Sequence, residues 1–293
     1  MNQPLLSLCI PTNGVVEFVI PLVKSIYSQG LDNQLFEVVI SDNGGKTELE
    51  DALHQIDKPN LKYLRSEAEG FMNQISCLQA ADGLFLKMVN HKSKFHDSIL
   101  KELIDLIIVN KKDCPMLFFS NGHVGKSTIY DCPNLEAFLK RVSFWSSWEE
   151  GLGIWGKDKA QLKSILYSKM FPAASILFGV RKDSRYVVFN KKVSYQENVN
   201  RIRRYDFFKV FAVEWVDMYY NLLKSNRISN SLFHFLKNDL FRRYLISYYY
   251  QIVVAKTDQA EKPVNIKNSM CKYYSVWHYW WMVFYANTVM RVR

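Results

Sequence analysis

Two short apolar runs near the start of the chain, each closed by small polar residues, constrain the fold most strongly. Residues 5–10 lead into Pro-Thr-Asn-Gly at 11–14, and residues 36–40 lead into Ser-Asp-Asn-Gly at 41–44. Apolar runs of this length that stop at turn formers are typical of buried parallel strands. Residues 15–29 between them have helical spacing. The pattern predicts a strand–helix–strand unit whose two polar clusters face each other at the carboxyl edge of a sheet, where ligands bind in open α/β folds.

The alternation of strand and helix patterns continues through residue 115 and predicts an α/β fold. We expect further strands at 61–64, 83–89 and 115–119, with helices at 71–81 and 97–109 between them. This order favours a Rossmann-like, mostly parallel sheet flanked by helices.

Composition excludes several classes of protein. The five cysteines are scattered and none forms a CxxC pair, so we expect reduced thiols and neither a zinc site nor a disulfide framework. No window holds about twenty uninterrupted apolar residues, as a transmembrane helix needs. The first residues also lack the pattern of a secretory signal. These observations favour a cytoplasmic protein.

The net charge of +10 favours anionic partners, namely nucleic acid, phosphorylated substrates or acidic lipid headgroups. The basic residues cluster from Lys87 onward. No RNA- or DNA-binding motif accompanies them, so we do not expect a nucleic-acid partner. A basic nucleic-acid-binding protein is kept only as a third functional alternative.

Several short motifs in the first 110 residues resemble those of bacterial family 2 glycosyltransferases of GT-A fold. They are Ile-Pro-Thr at 10–12, Val-Val-Ile-Ser-Asp-Asn at 38–43, Asn-Leu-Lys-Tyr-Leu-Arg at 60–65, Gly-Phe at 70–71 and Ala-Ala-Asp-Gly at 80–83. Their order is most similar to that of the abequosyltransferase-like sugar transferases of O-antigen and capsule clusters. After residue 120 the resemblance fades.

The resemblance implies a nucleotide-sugar donor held at the strand ends. Thr12 matches the position that contacts the nucleoside, and Asp42 matches the carboxylate that accepts a hydrogen bond from the base. Asn43 lies beside it, and Gly70 and Asn73 match positions that line the ribose and diphosphate. We expect His91 and Lys92 to hold the diphosphate. The full set of expected donor-binding residues is Pro11, Thr12, Asn13, Asp42, Asn43, Gly70, Asn73, Asn90, His91 and Lys92. The alternative is that Thr12 and Asp42 only cap the helices that follow them.

One departure from the family pattern concerns the metal. The family places an Asp-Asp or Asp-x-Asp after the fourth strand to hold a divalent cation at the leaving diphosphate. Here that place holds Asn90, His91 and Lys92. Three explanations stay open: Lys92 or Lys94 supplies the positive charge, a Mg²⁺ or Mn²⁺ ion is held by Asn90, His91 and the diphosphate, or the chain is an inactive relative.

The catalytic base is sought in a loop rich in tryptophan and glycine at 143–156. Glu149 and Glu150 are our candidates to take the proton of the acceptor hydroxyl, with Asp158 and Glu197 as reserves. Trp148 and Trp155 are candidates to stack on the acceptor sugar. The alternative is that the tryptophans are core residues and the glutamates begin a helix.

Residues 120–128 imitate a phosphate-binding loop but lack its first glycine and a good helix afterwards, so we exclude an NTPase. Beyond residue 205 we expect helices at 206–224, 231–254 and 267–290, the last two rich in aromatic and basic residues. Such helices suit a membrane surface, and they suit packing on the catalytic domain or a second subunit equally well.

The predicted organisation is a GT-A domain at 1–204, with a nucleotide-binding half at 1–115 and an acceptor half at 116–204, followed by a helical region at 205–293. The predicted function is transfer of a sugar from a nucleotide-sugar donor to a lipid-linked oligosaccharide or surface polysaccharide at the inner face of the cell membrane. A catalytically degenerate, nucleotide-sugar-binding scaffold is the alternative. Self-association is left open.

Overall fold

The computed structural model has an α/β sheet region and a helical region. It describes residues 3–181, 184–197, 202–203, 205–257, 259–260 and 263–291. The strands, in chain order, are β1 (Leu6–Thr12), β2 (Phe36–Asp42), β3 (Leu61–Arg65), β4 (Phe85–Met88), β5 (Lys94–Phe95), β6 (Met116–Phe119), β7 (Ile129–Cys132), β8 (Gly153–Trp155), β9 (Tyr186–Phe189), β10 (Ser194–Tyr195), β11 (Ile202–Arg203) and β12 (Gln259–Ala260). The α-helices are α1 (Val16–Tyr27), α2 (Glu48–His54), α3 (Asn73–Ala80), α4 (Ile99–Asn110), α5 (Leu135–Val142), α6 (Pro172–Gly179), α7 (Trp215–Lys224), α8 (Asn230–Leu240), α9 (Ile246–Tyr249), α10 (Ile266–Cys271) and α11 (Val276–Asn287).

The chain divides into two compact units, one formed by Met1–Asn134 with Trp145–Glu197 and the other by Leu135–Phe144 with Asn198–Arg293. The second unit thus includes α5, which the sequence placed with the first domain. The boundary expected after residue 204 stays a prediction.

The first unit is built on a five-stranded sheet in the order β3–β2–β1–β4–β8. The first four strands are parallel and β8 runs antiparallel to β4. β1 and β2 lie in the middle and are buried on both faces, which explains why their sequences are almost continuously apolar. The predicted mostly parallel α/β fold is confirmed.

Smaller sheets extend the first unit. β9 lies between β6, to which it is parallel, and β7, to which it is antiparallel. β10 pairs antiparallel with β5. Because the loop after β6 leads into strand β7 and not into a helix, the phosphate-loop imitation at 120–128 lacks the helix that a phosphate site requires.

The second unit is mainly helical. One helical run begins with α8, continues through the π-helical turn Phe241–Leu245 and α9, and ends with a second π-helical turn, Tyr250–Val254. This run agrees with the helix expected at 231–254. A further π-helical turn, Lys209–Glu214, precedes α7.

The helix expected at 267–290 is wrong in one respect, because the chain turns between α10 and α11. The turn buries Tyr274, whose hydroxyl donates a hydrogen bond to the carbonyl oxygen of Lys237 at 3.0 Å. Ser275, at the N-cap of α11, was the sequence signal for this restart. Among the helices of the described residues, none has the length and apolar character needed to cross a bilayer.

Candidate active site

The carboxyl ends of β1 and β2 are adjacent, as the sequence predicted. Thr12 pairs with Asp42 in the parallel register of the two strands. The backbone N–H of Asn43 donates to the carbonyl oxygen of Thr12 at 3.0 Å, which joins the two polar clusters directly. Neither residue caps a helix, since Val15 and Thr47 occupy the N-cap positions of α1 and α2. The capping alternative is therefore wrong.

Thr12 is linked to the loop that follows β4. Its hydroxyl oxygen lies 2.8 Å from Nδ1 of His91 and accepts a hydrogen bond from the backbone N–H of Gly14 at 3.2 Å. Burial, and secondarily the positive charge of Lys92, lower the pKa of His91 to about 4. The imidazole is therefore neutral at pH 7, and it offers a neutral polar edge beside the charged Lys92.

Asp42 does not face solvent, which corrects its predicted contact with a base. Its carboxylate is fully buried and accepts hydrogen bonds from the Gly44 N–H at 2.7 Å and the Tyr63 hydroxyl at 2.9 Å. Nη1 of Arg65 approaches it at 3.5 Å. The side chain therefore shapes the turn after β2 and leaves no exposed oxygen for a ligand.

This turn admits only glycine at position 44. A Cβ atom there would lie 2.3 Å from the carbonyl oxygen of Asn13, so the two loops meet backbone to backbone. The close approach keeps the β1 and β2 loops together without any ligand.

Asn73 is also structural, contrary to the prediction that it lines the ribose and diphosphate. It is buried, its Nδ2 donates to the carbonyl oxygens of Thr12 and Ser41 at 3.1 and 2.7 Å, and its Oδ1 accepts from the Ser41 hydroxyl at 2.6 Å. All of its described bonds tie α3 to the ends of β1 and β2.

Other residues are accessible to solvent at the carboxyl ends of β1 and β2, and we call them the accessible rim. Asn13 and Gly70 are exposed, while Pro11 and Asn43 are half-buried. Nδ2 of Asn43 donates to the carbonyl oxygens of Ala68 and Gly70 at 2.7 and 3.1 Å, which fixes the loop before α3. Phe71 follows Gly70 with 42% of its surface exposed. The sequence placed Phe71 in a family-like Gly-Phe motif and at the start of the helix expected at 71–81, and it did not predict an exposed ring there.

Glu149 is half-buried and is held by two side-chain amides. Nδ2 of Asn90 donates to its Oε1 at 2.7 Å, and Nε2 of Gln74 donates to its Oε2. Burial, together with the nearby Glu150 and opposed by the Asn90 hydrogen bond and the charge of Lys92, raises the pKa of Glu149 to about 7. A carboxyl that titrates near neutrality can exchange a proton with a hydroxyl group.

Gln74 is a residue that the sequence analysis missed. Its Oε1 accepts a hydrogen bond from the backbone N–H of Ala173 in the first turn of α6, at 3.1 Å, while its nitrogen binds Glu149. Glutamine on a helix face gives no local signal of such a role, because its two partners lie 75 and 99 positions away along the chain.

Glu150 is a structural residue, which corrects its assignment as a second candidate base. Its carboxylate is buried and accepts from the hydroxyls of Ser93 and Ser194 at 3.0 and 2.7 Å. Nζ of Lys87, itself fully buried, donates to the Glu150 carbonyl oxygen at 2.9 Å. Desolvation lowers the pKa of Lys87 to about 8. The hydrogen bonds from Ser93, Ser194 and Lys87 to Glu150 anchor the short 3₁₀ turn Glu149–Gly151.

The reserve candidates are also engaged. Asp158 is buried and its Oδ1 accepts from Nε of Arg181 at 2.8 Å. Glu197 pairs with Lys94 at 2.6 Å, so the alternative positive charge at Lys94 already has a carboxylate partner. These ion pairs favour Glu149 over the two reserve carboxylates.

Of the two predicted acceptor tryptophans, only Trp148 is accessible. Trp155 is 1% exposed, packs edge-on against Phe85 and donates from Nε1 to the carbonyl oxygen of Pro115 at 2.7 Å. It belongs to the core and cannot stack on a sugar. Trp148 is half-buried beside Glu149.

Trp148 is joined by two further rings. The exposed His123 stacks on Trp145 with the ring centroids 4.1 Å apart, and Trp148 meets His123 edge-on at 5.7 Å. We call these three residues the aromatic corner. His123 comes from the loop after β6, so only the fold brings it beside the tryptophans.

The residues at the end of β4 do not fit a conventional divalent-metal site. Among the described residues, no group of three or more His, Cys, Asp or Glu side chains is arranged to hold a metal ion. Asn90 and His91 offer an amide and an imidazole whose Nδ1 is bonded to Thr12, and Lys92 adds a positive charge next to them. Mg²⁺ and Mn²⁺ prefer several carboxylate oxygens, so these three side chains do not fit either ion.

This chain resembles known proteins in its fold. No protein-family model and no curated protein sequence matches the chain. Residues 1–349 of TarS from S. aureus, solved in complex with UDP, superpose with a TM-score of 0.57 at 19% identity, over 86% of this chain and 76% of that chain. The same fragment in complex with UDP-GlcNAc gives a TM-score of 0.57 at 17% identity with the same coverage.

A more distant structure covers nearly the whole chain. The mannosyltransferase PcManGT from Pyrobaculum calidifontis, in complex with GDP-Man and Mn²⁺, superposes with a TM-score of 0.52 at 11% identity, over 99% of this chain and 88% of that chain. These similarities confirm the GT-A glycosyltransferase fold predicted from the sequence. The finer resemblance to abequosyltransferases stays a prediction.

Proposed function

We propose that this protein is a glycosyltransferase that moves a sugar from a nucleoside diphosphate donor to a hydroxyl group of a saccharide acceptor. The observation that carries the proposal is the half-buried Glu149, held by Asn90 and Gln74 within a GT-A fold and titrating near neutrality. In the TarS and PcManGT structures the same fold accompanies UDP, UDP-GlcNAc and GDP-Man.

In the proposed reaction Glu149 is the general base. Its carboxylate takes the proton of the acceptor hydroxyl while that oxygen forms a bond to the anomeric carbon of the donor sugar. The bond between the anomeric carbon and the diphosphate breaks, and the nucleoside diphosphate leaves with the electron pair. A single displacement of this kind inverts the anomeric configuration.

We assign the donor to the accessible rim of the β1 and β2 loops. Pro11, Asn13, Asn43 and Gly70 offer backbone and amide groups to the nucleoside, and the exposed ring of Phe71 offers a face on which a base can stack. Thr12, Asp42 and Asn73 shape this rim from beneath through the bonds described above.

The diphosphate is assigned to His91 and Lys92. The charge of Lys92 acts on both His91 and Glu149, since it lowers the pKa of each. Its Nζ lies 5.2 Å from the ring centroid of Phe18. An ammonium group near the general base is suited to stabilise the leaving phosphate without a cation.

The acceptor is assigned to the aromatic corner. Sugars present C–H faces that stack on aromatic rings, and Trp148 directly precedes the proposed base in the chain. His123 and Trp145 extend the aromatic surface from the other side. We further propose, following the family resemblance, that the acceptor is a lipid-linked oligosaccharide or surface polysaccharide of the O-antigen or capsule type. The protein would then work in the cytoplasm at the inner membrane surface.

A second function is favoured by one observation. The position where the family carries metal-binding carboxylates holds Asn90, His91 and Lys92, as in a relative that binds nucleotide sugars without turning them over. Such a scaffold would bind the donor at the same site as the proposed enzyme but would not transfer the sugar.

Isothermal titration with a panel of UDP-, GDP-, CDP- and dTDP-sugars tests the donor site, and donor consumption with and without EDTA tests the chemistry. We expect binding of one nucleotide class and turnover that resists EDTA. The Glu149→Gln variant should keep the donor affinity and lose turnover, while the control Glu102→Gln on α4 keeps both. Binding without turnover under any condition would support the scaffold, and no binding of any nucleotide sugar would refute both functions.

A further inference from the structure

Helix α11 carries an exposed aromatic face, which has no role in the proposed reaction. Trp277, Trp280, Trp281 and Phe284 expose 77%, 53%, 47% and 63% of their surfaces. Their spacing of three and four residues places all four within roughly 100° of the helix circumference. Met282 and Ala286, on the opposite side, are buried where α11 packs against α9 and α10. One side of α11 therefore packs against its own unit, and the opposite side exposes four large aromatic rings.

The face cannot be explained as ordinary surface. Single exposed apolar side chains are common, but a contiguous group of large rings marks an interaction site. The helix contains no Asp, Glu, Lys or Arg between Val276 and Asn287. Trp281 also stacks on Tyr285 with the ring centroids 4.9 Å apart.

The charged residues of the segment that carries the face are all of one sign. From residue 263 to residue 291 the chain holds Lys267, Lys272 and Arg291 and no acidic residue. Nζ of Lys267, exposed on α10, lies 5.7 Å from the ring centroid of Trp280. Lys272 is paired with Asp217 of α7 at 2.8 Å, whereas no ion pair engages Lys267 or Arg291 within the described part of the chain.

We propose that this face of α11 binds the interfacial region of an anionic phospholipid bilayer. Indole rings combine a large apolar body with one N–H donor, which matches the boundary between acyl chains and headgroups. The basic residues beside them match negatively charged headgroups. The helix lies along the surface, because it is too short to span the bilayer.

This inference does not depend on glycosyl transfer and is tested without any donor. Purified protein is sedimented with vesicles of phosphatidylcholine alone and with vesicles that also contain phosphatidylglycerol. We expect binding to the anionic vesicles, weaker binding to the neutral ones, and loss of the difference at high salt. Lys267→Gln should reduce the preference for anionic vesicles.

The variant Trp277→Ala/Phe284→Ala removes two rings that make little contact with the rest of the protein and should fold normally, which thermal unfolding checks. We expect its vesicle partition coefficient to fall at least roughly tenfold. The control is Phe235→Ala, which removes a ring of 42% exposure from α8 in the same unit and should bind as the unaltered protein does.

Three results would overturn the proposal. They are no binding of the unaltered protein to anionic vesicles, equal binding by the double variant, and self-association of the unaltered protein that the double variant abolishes. The last result would assign the face to a second copy of this chain. None of these results bears on the donor titration, so the two proposals fail separately.

Discussion

The side-chain amide of Asn90 donates a hydrogen bond to Oε1 of Glu149 across 2.7 Å, and so joins the end of β4 to the turn before β8. This bond favours the charged form of the carboxylate and so partly offsets the rise in its pKa that burial causes.

The first prediction concerns the pH dependence of transfer. A general base works when deprotonated, so the rate should rise with pH through a midpoint of about 7. In Asn90→Ala the charged form loses a hydrogen bond, and the midpoint should move to higher pH. A pH–rate profile measures this, with the exposed Asn268→Ala as a control that leaves the midpoint unmoved. A midpoint near pH 4 in the unaltered protein would contradict the role of Glu149.

The second prediction concerns stability and the same carboxyl group. Because folding raises the pKa of Glu149 from 4.5 to about 7, the folded state binds this proton more tightly than the unfolded chain does. The resulting stabilisation is complete below pH 4.5 and is lost as pH rises through 7. Relative to Glu149→Gln, the free energy of unfolding of the unaltered protein should therefore fall across this window. Urea denaturation at several pH values measures it, and a constant difference would contradict the raised pKa.

The third prediction is that Asp42 matters for stability. Asp42→Ala leaves the Gly44 N–H and the Tyr63 hydroxyl without their buried acceptor, at a cost of about 1–3 kcal/mol for an unsatisfied group. Tyr63→Phe, which removes one of the two bonds, should cost less. Urea denaturation separates the two variants. If Asp42→Ala had the same free energy of unfolding as the unaltered protein and lost only donor affinity, Asp42 would contact the base of the donor directly, as the family resemblance implies.

The fourth prediction assigns Lys87 a positioning role. Lys87→Met removes the donor to the Glu150 carbonyl oxygen and the positive charge beside the buried Glu150. The turn that carries Glu149 should loosen, so kcat should fall while the donor Kd stays unchanged. The protein should also be destabilised, because a buried carboxylate is left without its counter-charge. Combining Lys87→Met with Glu150→Gln should recover part of the lost stability, and simple additivity of the two effects would contradict the coupling.

The fifth prediction separates the diphosphate site from the nucleoside site. Lys92→Met should weaken binding of a nucleoside diphosphate much more than binding of the nucleoside alone, since only the former carries the charges that an ammonium group attracts. Calorimetry with both ligands, with and without EDTA, measures the difference. The control is Lys101→Met on α4, which lies in an exposed pair with Asp105. Equal weakening of both ligands would assign Lys92 to the nucleoside.

Much of the sheet could be predicted from the sequence, because buried parallel strands carry a local signal. β1, β2, β3, β4 and β6 all lie within or next to apolar runs that stop at polar residues. β5, β7 and β10 are short and partly exposed, and β8 is three residues long. Such strands are set by their neighbours in the sheet and not by their own composition.

The site was predicted less completely, for a physical reason. Residue type identified Glu149 and Lys92 as chemically suitable, but burial decides which suitable residues can meet a ligand. Asp42, Asn73, Glu150 and Trp155 all have apt chemistry, and each is buried by partners from other parts of the chain. Gln74 and His123 were missed because their roles arise only where distant segments meet.

The two amides that hold Glu149 also restrict where its acquired proton can go. The nitrogens of Asn90 and Gln74 are donors without an acceptor lone pair, so neither can relay a hydrogen onward. Once Glu149 is protonated, these two anchors give the proton no path inward through them. In the proposed reaction this proton should therefore leave outward, to water or to the departing product, before Glu149 can act as a base again.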